Sequence, residues 1–310
     1  MIDNQFEIIK VLGKGGSSKV FLARDAQDNK CAIKVIRKDK ECLKYNASAM
    51  LQREHDLLWQ LNEHPNIIKS LFLNCEGTLE SGSESESVMY LALEYARHGA
   101  LSSFIKYTGC LEEEIARFFA FQVWHAVAYV HSLGFAHLDI KLENILLDEF
   151  YNLKLADMGS SVRVIDTNGL SDRRRGTVLY MAPEVASLKS NEVFDAQAAD
   201  VYSLGVTLFI LMSGLFPSTD HSSISTIDSD KSSSFGIDDP AVQDPSKISK
   251  EVRYLIQSMT NIDPKKRPTM EEILNSSWMW KEFSENIREQ AYLEMNWRKE
   301  HMIKLYNKSD

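Results

Sequence analysis

The pattern of apolar residues changes once along the chain, near residue 100, and this change restricts the fold to a two-part α+β architecture. Between residue 6 and about residue 96, short β-branched and aromatic runs alternate with turn residues, which predicts strands over 6–12, 19–24, 31–36 and 88–94. One helical pattern, 48–61, interrupts them. Beyond Leu101, long helical periods dominate. The sequence therefore predicts a small sheet with one main helix, followed by a larger, mostly helical part.

Three domains are predicted from this pattern. They are a sheet-containing part over 1–96, a helical part over 97–280 and a C-terminal helical tail over 281–310. Because binding pockets form preferentially where two parts meet, a crevice is expected near residues 95–100. Two serine-rich segments, 77–87 and 218–234, contain few apolar residues. Both are predicted to be flexible surface loops.

Composition narrows the class of protein. The chain has 310 residues, a formal net charge of −9 and 44% hydrophobic residues, which is typical of a globular protein. An acidic chain is a poor partner for nucleic acid or anionic membranes. The single basic run, Arg173 to Arg175, is interpreted as a solvated loop in preference to a nucleic-acid contact. Four scattered cysteines indicate neither a zinc site nor a disulfide framework.

Apolar runs are too short for a membrane helix, which needs about 20 residues. The longest, 204–212, is predicted to be a buried core helix. The N-terminus reaches polar residues at once, so no signal peptide is predicted. We therefore expect a cytoplasmic protein, with the nucleus as the alternative, and neither a nucleic-acid nor a membrane partner.

The segment HLDIKLEN, residues 137–144, combines groups suited to phosphoryl transfer. Asp139 can orient a hydroxyl and accept its proton, Lys141 can neutralise charge on a phosphoryl group, and Asn144 can bind a metal through its amide oxygen. Asp157, in the segment ADMG, offers a second metal-binding oxygen. Mg²⁺ prefers such ligands, with phosphate and water completing its coordination.

Two further features point the same way but are weak alone. The segment GKGGSSKV, residues 13–20, lies between predicted strands, and its small residues would let backbone N–H groups approach phosphates, although glycines there also make simple turns. Lys34 ends the predicted strand CAIK, and Glu54 lies on the predicted helix. A phosphate-binding lysine needs such a carboxylate to hold it, whereas the alternative is two unrelated surface charges.

Taken together, these segments resemble the eukaryotic protein kinase family from residue 6 to about residue 280. The matching motifs occur in the family's order: GKGGSSKV, CAIK, the helix with Glu54, HPNII (64–68), LEYA (93–96), HLDIKLEN, DMG, GTVLYMAPE (176–184), DVYSLG (200–205) and DPKKRP (263–268). Lys141 and Thr177 are similar to the residues typical of serine/threonine enzymes. GTVLYMAPE and DPKKRP look most like the calmodulin-dependent and related groups.

The resemblance implies the two-lobed protein kinase fold, ATP and Mg²⁺ as cofactors, and protein substrates with serine or threonine acceptors. It implies catalytic roles for Asp139, Lys141, Lys34 and Glu54, and metal binding by Asn144 and Asp157. ATP would be bound by Leu12, Gly13, Lys14, Gly15, Gly16, Ser17, Ser18, Val20, Ala32, Lys34, Leu93, Glu94, Ala96 and Leu146. Asp200 would anchor the catalytic loop, and Glu184 would pair with Arg267.

Three positions depart from the family's pattern. Leu138 replaces the arginine that usually binds a phosphorylated activation segment, so substitutions at Thr167 and Ser171 are expected to leave turnover nearly unchanged. Met158 replaces a phenylalanine, which should preserve catalysis. Ala100 stands where kinases that select basic substrates carry a glutamate, although Glu143 could supply some of that charge.

Three interpretations compete. An active serine/threonine kinase is favoured because Lys34, Asp139, Asn144 and Asp157 are all present. A catalytically inactive kinase-fold scaffold would usually lack one of them. A small-molecule phosphotransferase would generally lack the GTVLYMAPE segment. The tail after Trp280 is expected to pack on the helical part, with an autoinhibitory or partner contact as the alternatives.

Overall fold

The computed structural model describes residues 1–15, 18–38, 47–81, 84–215 and 248–306 in two compact units. The first unit comprises Met1–Arg97 with Ala156–Gly159, and the second comprises His98–Leu155 with Ser160–Asp310. The predicted nucleotide-binding residues Gly16 and Ser17 and the serine-rich segment 218–234 lie outside the described residues.

The first unit is an antiparallel five-stranded sheet with one long helix. Its elements are β1 (Glu7–Lys14), β2 (Ser18–Arg24), β3 (Lys30–Arg37), α1 (Ala47–Leu61), β4 (Ser70–Ser81) and β5 (Glu84–Glu94), and the strand order is β1-β2-β3-β5-β4. The predicted strands and helix are therefore confirmed, with ends that differ by a few residues.

Successive side chains of β2, β3 and β5 point to opposite sides of the sheet, which gives the sheet two different faces. One face carries the hydrophobic core of the first unit, which consists of Ile2, Phe6, Phe21, Ala23, Cys31, Ile33, Val35, Val88 and Tyr90. Burial within this core raises the pKa of the Cys31 thiol to about 11. The opposite face carries the intervening residues, among them Lys34.

The prediction of a flexible loop over 77–87 was wrong for the residues of this segment that the structure describes, 77–81 and 84–87. Residues of this segment pair in register across β4 and β5, from Gly77 opposite Val88 to Ser81 opposite Glu84. The cause lies at the N-terminus, where Ile2 is fully buried and forms a β-bridge with Leu79. A hairpin that looks too polar to fold alone is thus covered by residues far away in the sequence.

Asp3 anchors the N-terminal residues against β4 and β5. Its carboxylate accepts hydrogen bonds from the Thr78 backbone N–H at 2.6 Å, the Tyr90 hydroxyl at 2.7 Å and the Asn74 amide at 2.6 Å. Burial raises the pKa of Tyr90 to about 12, which keeps its hydroxyl a donor. Partial burial would raise the pKa of Asp3, but these hydrogen bonds outweigh it and hold the pKa below its ordinary value.

The second unit is mainly helical, which confirms the α+β prediction. Its helices are α2 (Leu101–Thr108), α3 (Glu113–Ser132), α4 (Pro183–Ala186), α5 (Ala196–Ser213), α6 (Lys250–Met259), α7 (Met270–Leu274) and α8 (Ile287–Tyr306). Its short strands are β6 (Gly99–Ala100), β7 (Phe135–Ala136), β8 (Ile145–Leu147), β9 (Leu153–Leu155), β10 (Val162–Arg163), β11 (Leu170–Ser171) and β12 (Phe194–Asp195).

Helix α5 is the buried core helix that the sequence predicted. Among the described residues it is the one helix long and apolar enough to cross a membrane by length and composition, and 83% of it is buried inside the protein. Gly205 allows close approach of α6, because a Cβ atom there would lie 2.9 Å from Met259 Cβ and 2.8 Å from Thr260 Cγ2. Asp195 caps the helix N-terminus by accepting the Ala198 backbone N–H at 2.9 Å.

The C-terminal helix α8 packs on the second unit through a buried arginine. Arg298 is 5% exposed, and its guanidinium donates to the backbone carbonyls of Gly109 at 2.9 Å and Cys110 at 2.6 Å and to the Thr108 hydroxyl at 2.6 Å. These acceptors lie at the C-terminal end of α2, where a cation also complements the helix dipole. Packing of the tail was the expected outcome.

Candidate active site

The predicted nucleotide-binding residues of the first unit share one face of the sheet. Val20 pairs with Lys34 across β2 and β3, and Ala32 pairs with Leu93 across β3 and β5. Because Ala32 and Lys34 are two residues apart on one strand, all four side chains point to the face opposite the core. Each is only partly buried, which suits a surface that receives a ligand.

Lys34 is the centre of an ionic cluster on this face. Its ammonium lies 2.7 Å from Glu54 Oε2 and 3.0 Å from Asp157 Oδ1, and the Glu54 side chain is only 3% exposed. Burial alone would lower the pKa of Lys34, but the two carboxylates outweigh it and raise the pKa above its ordinary value. Burial conversely raises the pKa of Glu54, and the lysine opposes this shift. Lys34 is therefore protonated and fixed in direction.

The other predicted nucleotide-binding residues have distinct environments. Leu12 is 41% exposed and Ala96 is 7% exposed. The Glu94 backbone N–H donates to the Lys69 carbonyl at 2.9 Å and is therefore engaged within the first unit. Gly13 and Lys14 belong to β1, Gly15 follows this strand and Ser18 begins β2, whereas Leu146 belongs to the second unit.

In the second unit, the Asp139 carboxylate is held by three side chains. Its Oδ1 accepts from the Thr177 hydroxyl at 2.8 Å, and its Oδ2 accepts from the Lys141 ammonium at 2.8 Å and from the Asn144 amide at 3.0 Å. Lys141 also donates to Thr177 at 2.6 Å. The structure thus brings together three residues predicted as site residues, with Thr177 completing the network.

Asp200 holds the loop that carries Asp139, as predicted. This carboxylate is fully buried and accepts the backbone N–H groups of His137 at 2.7 Å and Leu138 at 2.8 Å. His131 Nε2 lies 2.9 Å from the same carboxylate. His131 could not be predicted at this site, since a histidine within a long helix carries no signal of its own in the sequence.

Gly176 is a second residue that the sequence analysis did not single out. Its φ is +105°, and a Cβ atom there would overlap the carbonyl oxygen of Leu138. Leu138 itself has a φ of 61° and is 7% exposed. The segment that ends in Thr177 therefore rests directly on the backbone of the catalytic loop, which positions the Thr177 hydroxyl against Asp139.

The predicted metal ligands present the type of donor that Mg²⁺ prefers. The Asn144 amide nitrogen donates to the Asp139 carbonyl at 2.8 Å and to its carboxylate, which fixes the amide oxygen as the remaining, acceptor side. Asp157 supplies a carboxylate whose side chain is 45% exposed. Among the described residues there is no cluster of three or more His, Cys, Asp or Glu side chains that could hold a metal by itself. Asn144 and Asp157 are therefore each an oxygen donor of the kind that suits a metal also coordinated by phosphate.

Comparison with known proteins decides the family. Residues 6–279 match the protein kinase domain. The chain belongs to the protein kinase family.

Among curated relatives, a CBL-interacting serine/threonine-protein kinase 12 of Arabidopsis thaliana is 35% identical over 286 residues, covering 91% of this chain and 54% of the relative. A CBL-interacting protein kinase 11 of Oryza sativa subsp. japonica is 35% identical over 92% of this chain and 53% of the relative. A CBL-interacting protein kinase 12 of the same species is 33% identical over 99% of this chain and 51% of the relative. The chain spans about half the length of these relatives.

The ion pair between Glu184 and Arg267, which the resemblance to the kinase family predicts, is present. Arg267 Nη1 lies 2.6 Å from Glu184 Oε1, and the arginine side chain is fully buried. Its Nε donates to the Asn261 carbonyl at 2.8 Å, so the guanidinium is also bonded to backbone. The resemblance to the kinase family is thereby confirmed at the level of family and fold, while the catalytic and binding roles of individual residues stay predictions.

Proposed function

We propose that this chain is a protein kinase that transfers the γ-phosphoryl group of ATP to serine or threonine hydroxyls of protein substrates. The observation that carries the proposal is the network in which Asp139 is bonded to Lys141, Asn144 and Thr177. The names of the relatives, which include serine/threonine-protein kinases, support the same acceptor type.

Asp139 is the group that would act on the acceptor. A carboxylate offers about four acceptor sites, and three are occupied by these neighbours, which leaves one for a substrate hydroxyl. As the hydroxyl oxygen bonds to the γ-phosphorus, the bond from phosphorus to the ADP oxygen breaks and the hydroxyl proton passes to Asp139. Lys141, 2.8 Å from Asp139, would stabilise charge on the phosphoryl oxygens.

ATP binding is assigned to the sheet face that carries Lys34. The fixed ammonium of Lys34 would bind the α and β phosphates, while Val20, Ala32 and Leu93 would contact the adenine ring. Asn144 and Asp157 would hold Mg²⁺, which when bound offsets the negative charge of the phosphates. Protein substrates are the proposed partners, and the cytoplasm is the proposed location.

The test uses ATP, Mg²⁺ and matched peptides that differ only in a serine, threonine or tyrosine acceptor. We expect transfer to serine and threonine peptides. Thr177→Val should lower this transfer at least about tenfold, because it removes the hydroxyl bonded to Asp139, whereas Thr177→Ser should retain it. Transfer to tyrosine alone, or no transfer to any peptide, would overturn the proposal.

A further inference from the structure

Two arginines of the run 173–175, which lies just before Thr177, have no salt-bridge partner among the residues that the structure describes. Arg173 and Arg174 are exposed. In the part of the chain that the structure describes, no carboxylate forms a salt bridge with either guanidinium, although Arg163 pairs with Asp166 at 3.3 Å and Arg267 pairs with Glu184. Two neighbouring positive charges are thus available at the surface of a chain whose net charge is −9.

The backbone on both sides of these arginines is fixed. Upstream, the Arg173 backbone N–H donates to the Ser171 hydroxyl at 3.2 Å, and Ser171 pairs with Phe194 between β11 and β12. Downstream, Gly176 rests against the Leu138 backbone and Thr177 bonds to Asp139. The arginines therefore project from a short segment that is held at both ends, and not from a free loop.

The length of the intervening backbone limits how far Arg173 and Arg174 lie from Thr177, which is hydrogen-bonded to Asp139. Arg173 lies four positions before Thr177, which corresponds to at most about 14 Å between their Cα atoms, and for Arg174 the limit is about 3.5 Å shorter. The Thr177 hydroxyl lies 2.8 Å from Asp139. Because an extended peptide advances about 3.3 Å per residue, a side chain about two to four residues from an acceptor bound at Asp139 comes within reach of these arginines.

One carboxylate of this region, Glu143, is hydrogen-bonded within the protein. Glu143, the remaining candidate for binding a substrate arginine, accepts a hydrogen bond from the Tyr180 hydroxyl at 3.2 Å. The position where basic-selective kinases carry a glutamate is Ala100. Nucleic acid is a poorer ligand than an acidic peptide, since its binding requires many phosphate contacts and the chain is acidic overall.

We propose that Arg173 and Arg174 select protein substrates with an anionic side chain, a carboxylate or a phosphate, two to four residues from the acceptor hydroxyl. Guanidinium groups bind both anions through paired, charge-assisted hydrogen bonds. The inference rests on the proposed function. Both arginines are specificity-determining residues in this account, and the chemistry itself stays with Asp139.

The test measures kcat/KM for a series of peptides with one serine acceptor. Aspartate, phosphoserine, glutamine or lysine is placed in turn at each position up to four residues from the acceptor. We expect aspartate or phosphoserine to exceed glutamine at least about tenfold at one position or more, chiefly through KM, and this ratio to fall as salt is added. Phosphoserine far above aspartate would identify phosphate as the preferred anion, and equal values would identify a general anionic preference.

Substitution then assigns the preference to the arginines. Arg173→Gln with Arg174→Gln should bring the ratio close to one, and Arg173→Glu with Arg174→Glu should favour the lysine peptide. Arg288→Gln, which removes an exposed arginine of α8, should keep the wild-type ratio. A ratio is used because loss of folded protein lowers all rates equally.

Four results would overturn the inference. Equal rates of the wild-type protein on all peptides would leave the kinase assignment intact and remove the anionic preference. If the preference survives the double substitution, it depends on other residues. If the double variant loses binding to single-stranded RNA while the peptide ratio is unchanged, the arginines form a nucleic-acid contact. Transfer to none of the peptides would contradict the proposed function itself, and the inference would fall with it.

Discussion

Gly176 lies so close to Leu138 that a Cβ atom at Gly176 would overlap the Leu138 carbonyl oxygen. Leu138 is the residue before Asp139, and Gly176 is the residue before Thr177. The contact therefore sets the separation between two side chains that share a hydrogen bond of 2.8 Å.

Gly176→Ala should abolish most of the activity while the protein stays folded. The new methyl group must push the two backbone segments apart, which breaks the bond between Thr177 and Asp139. We expect kcat to fall at least about a hundredfold, as for other losses of precise positioning. Gly109→Ala is the matched control. It has a similar positive φ of +79° but open space around it, so only the backbone strain of about 1–3 kcal/mol applies. Equal activity in both variants would contradict the account.

The pair Lys34 and Glu54 should show strong coupling in a double-mutant cycle. Lys34→Met leaves the Glu54 carboxylate buried and beside Asp157, so we expect it to destabilise the fold by about 3 kcal/mol. Adding Glu54→Gln should recover most of that stability, because the stranded charge is removed, but it should not restore phosphate transfer. Since the pKa of Lys34 is raised, the contribution of the lysine is fully present below its ordinary pKa of 10.5 and is lost as pH rises through the higher folded pKa. The pKa of Glu54 is also raised, so the pair is lost in acid as this carboxyl is protonated. Denaturant unfolding of the four proteins measures the coupling, and additive effects would argue against it.

Activity should not require phosphorylation of the segment that contains Thr167 and Ser171, although we expect these two residues to respond differently to substitution. The segment is ordered by pairing of β11 with β12, and Leu138 offers no cation for a phosphate. Thr167→Ala should therefore change kcat less than about twofold. Ser171 is 8% exposed and accepts the Arg173 backbone N–H, so Ser171→Asp would bury a charge and should lower activity at least about tenfold. This result would differ from the sequence-based expectation that substitutions there are neutral.

The matched substitution Ser171→Ala separates loss of the hydroxyl from burial of a charge. We expect it to retain most of the activity, measured as kcat on one peptide substrate. Activation by Ser171→Asp, or a tenfold loss in Thr167→Ala, would show that the segment depends on phosphorylation after all.

Asp3 predicts a stability difference that depends on pH. The pKa of Asp3 is lower in the folded protein than its ordinary value of 3.8, so its contribution is fully present above that value and is lost as pH falls through the folded pKa. Asp3→Asn should lower Tm by a few degrees near neutral pH, and the difference from the wild type should shrink below about pH 4. Asp172→Asn, at an exposed carboxylate, is the control. A difference that is constant with pH would mean that charge at Asp3 does not matter.

The strands and the main helix of the first unit could be predicted because their apolar residues follow a period of two or a helical spacing over a long enough window. The hairpin over 77–87 could not, since the residues that cover it, Ile2 and Asp3, lie more than 70 positions away. Local pattern carries no information about such a distant partner.

Candidate site residues could be proposed from the sequence because Asp139, Lys141 and the predicted metal ligand Asn144 lie within one short motif. His131 and Gly176 were missed for different physical reasons. His131 acts only through Asp200, which lies on another helix, and Gly176 matters through a backbone approach that no side-chain pattern reveals. Sequence reasoning thus recovers groups that are close along the chain more readily than groups that are close only in space.

Phosphate transfer by Asp139→Asn, compared with the unmodified chain, tests the central claim most directly. Asparagine keeps the size of the side chain and can still accept a hydrogen bond from Thr177, but it cannot take a proton from the acceptor. With ATP, Mg²⁺ and a serine peptide, we predict that kcat falls by about 10²–10⁴ while ATP binding is retained. Equal transfer by the two proteins, or no transfer by the unmodified chain, would contradict the assignment of this chain as an active serine/threonine kinase.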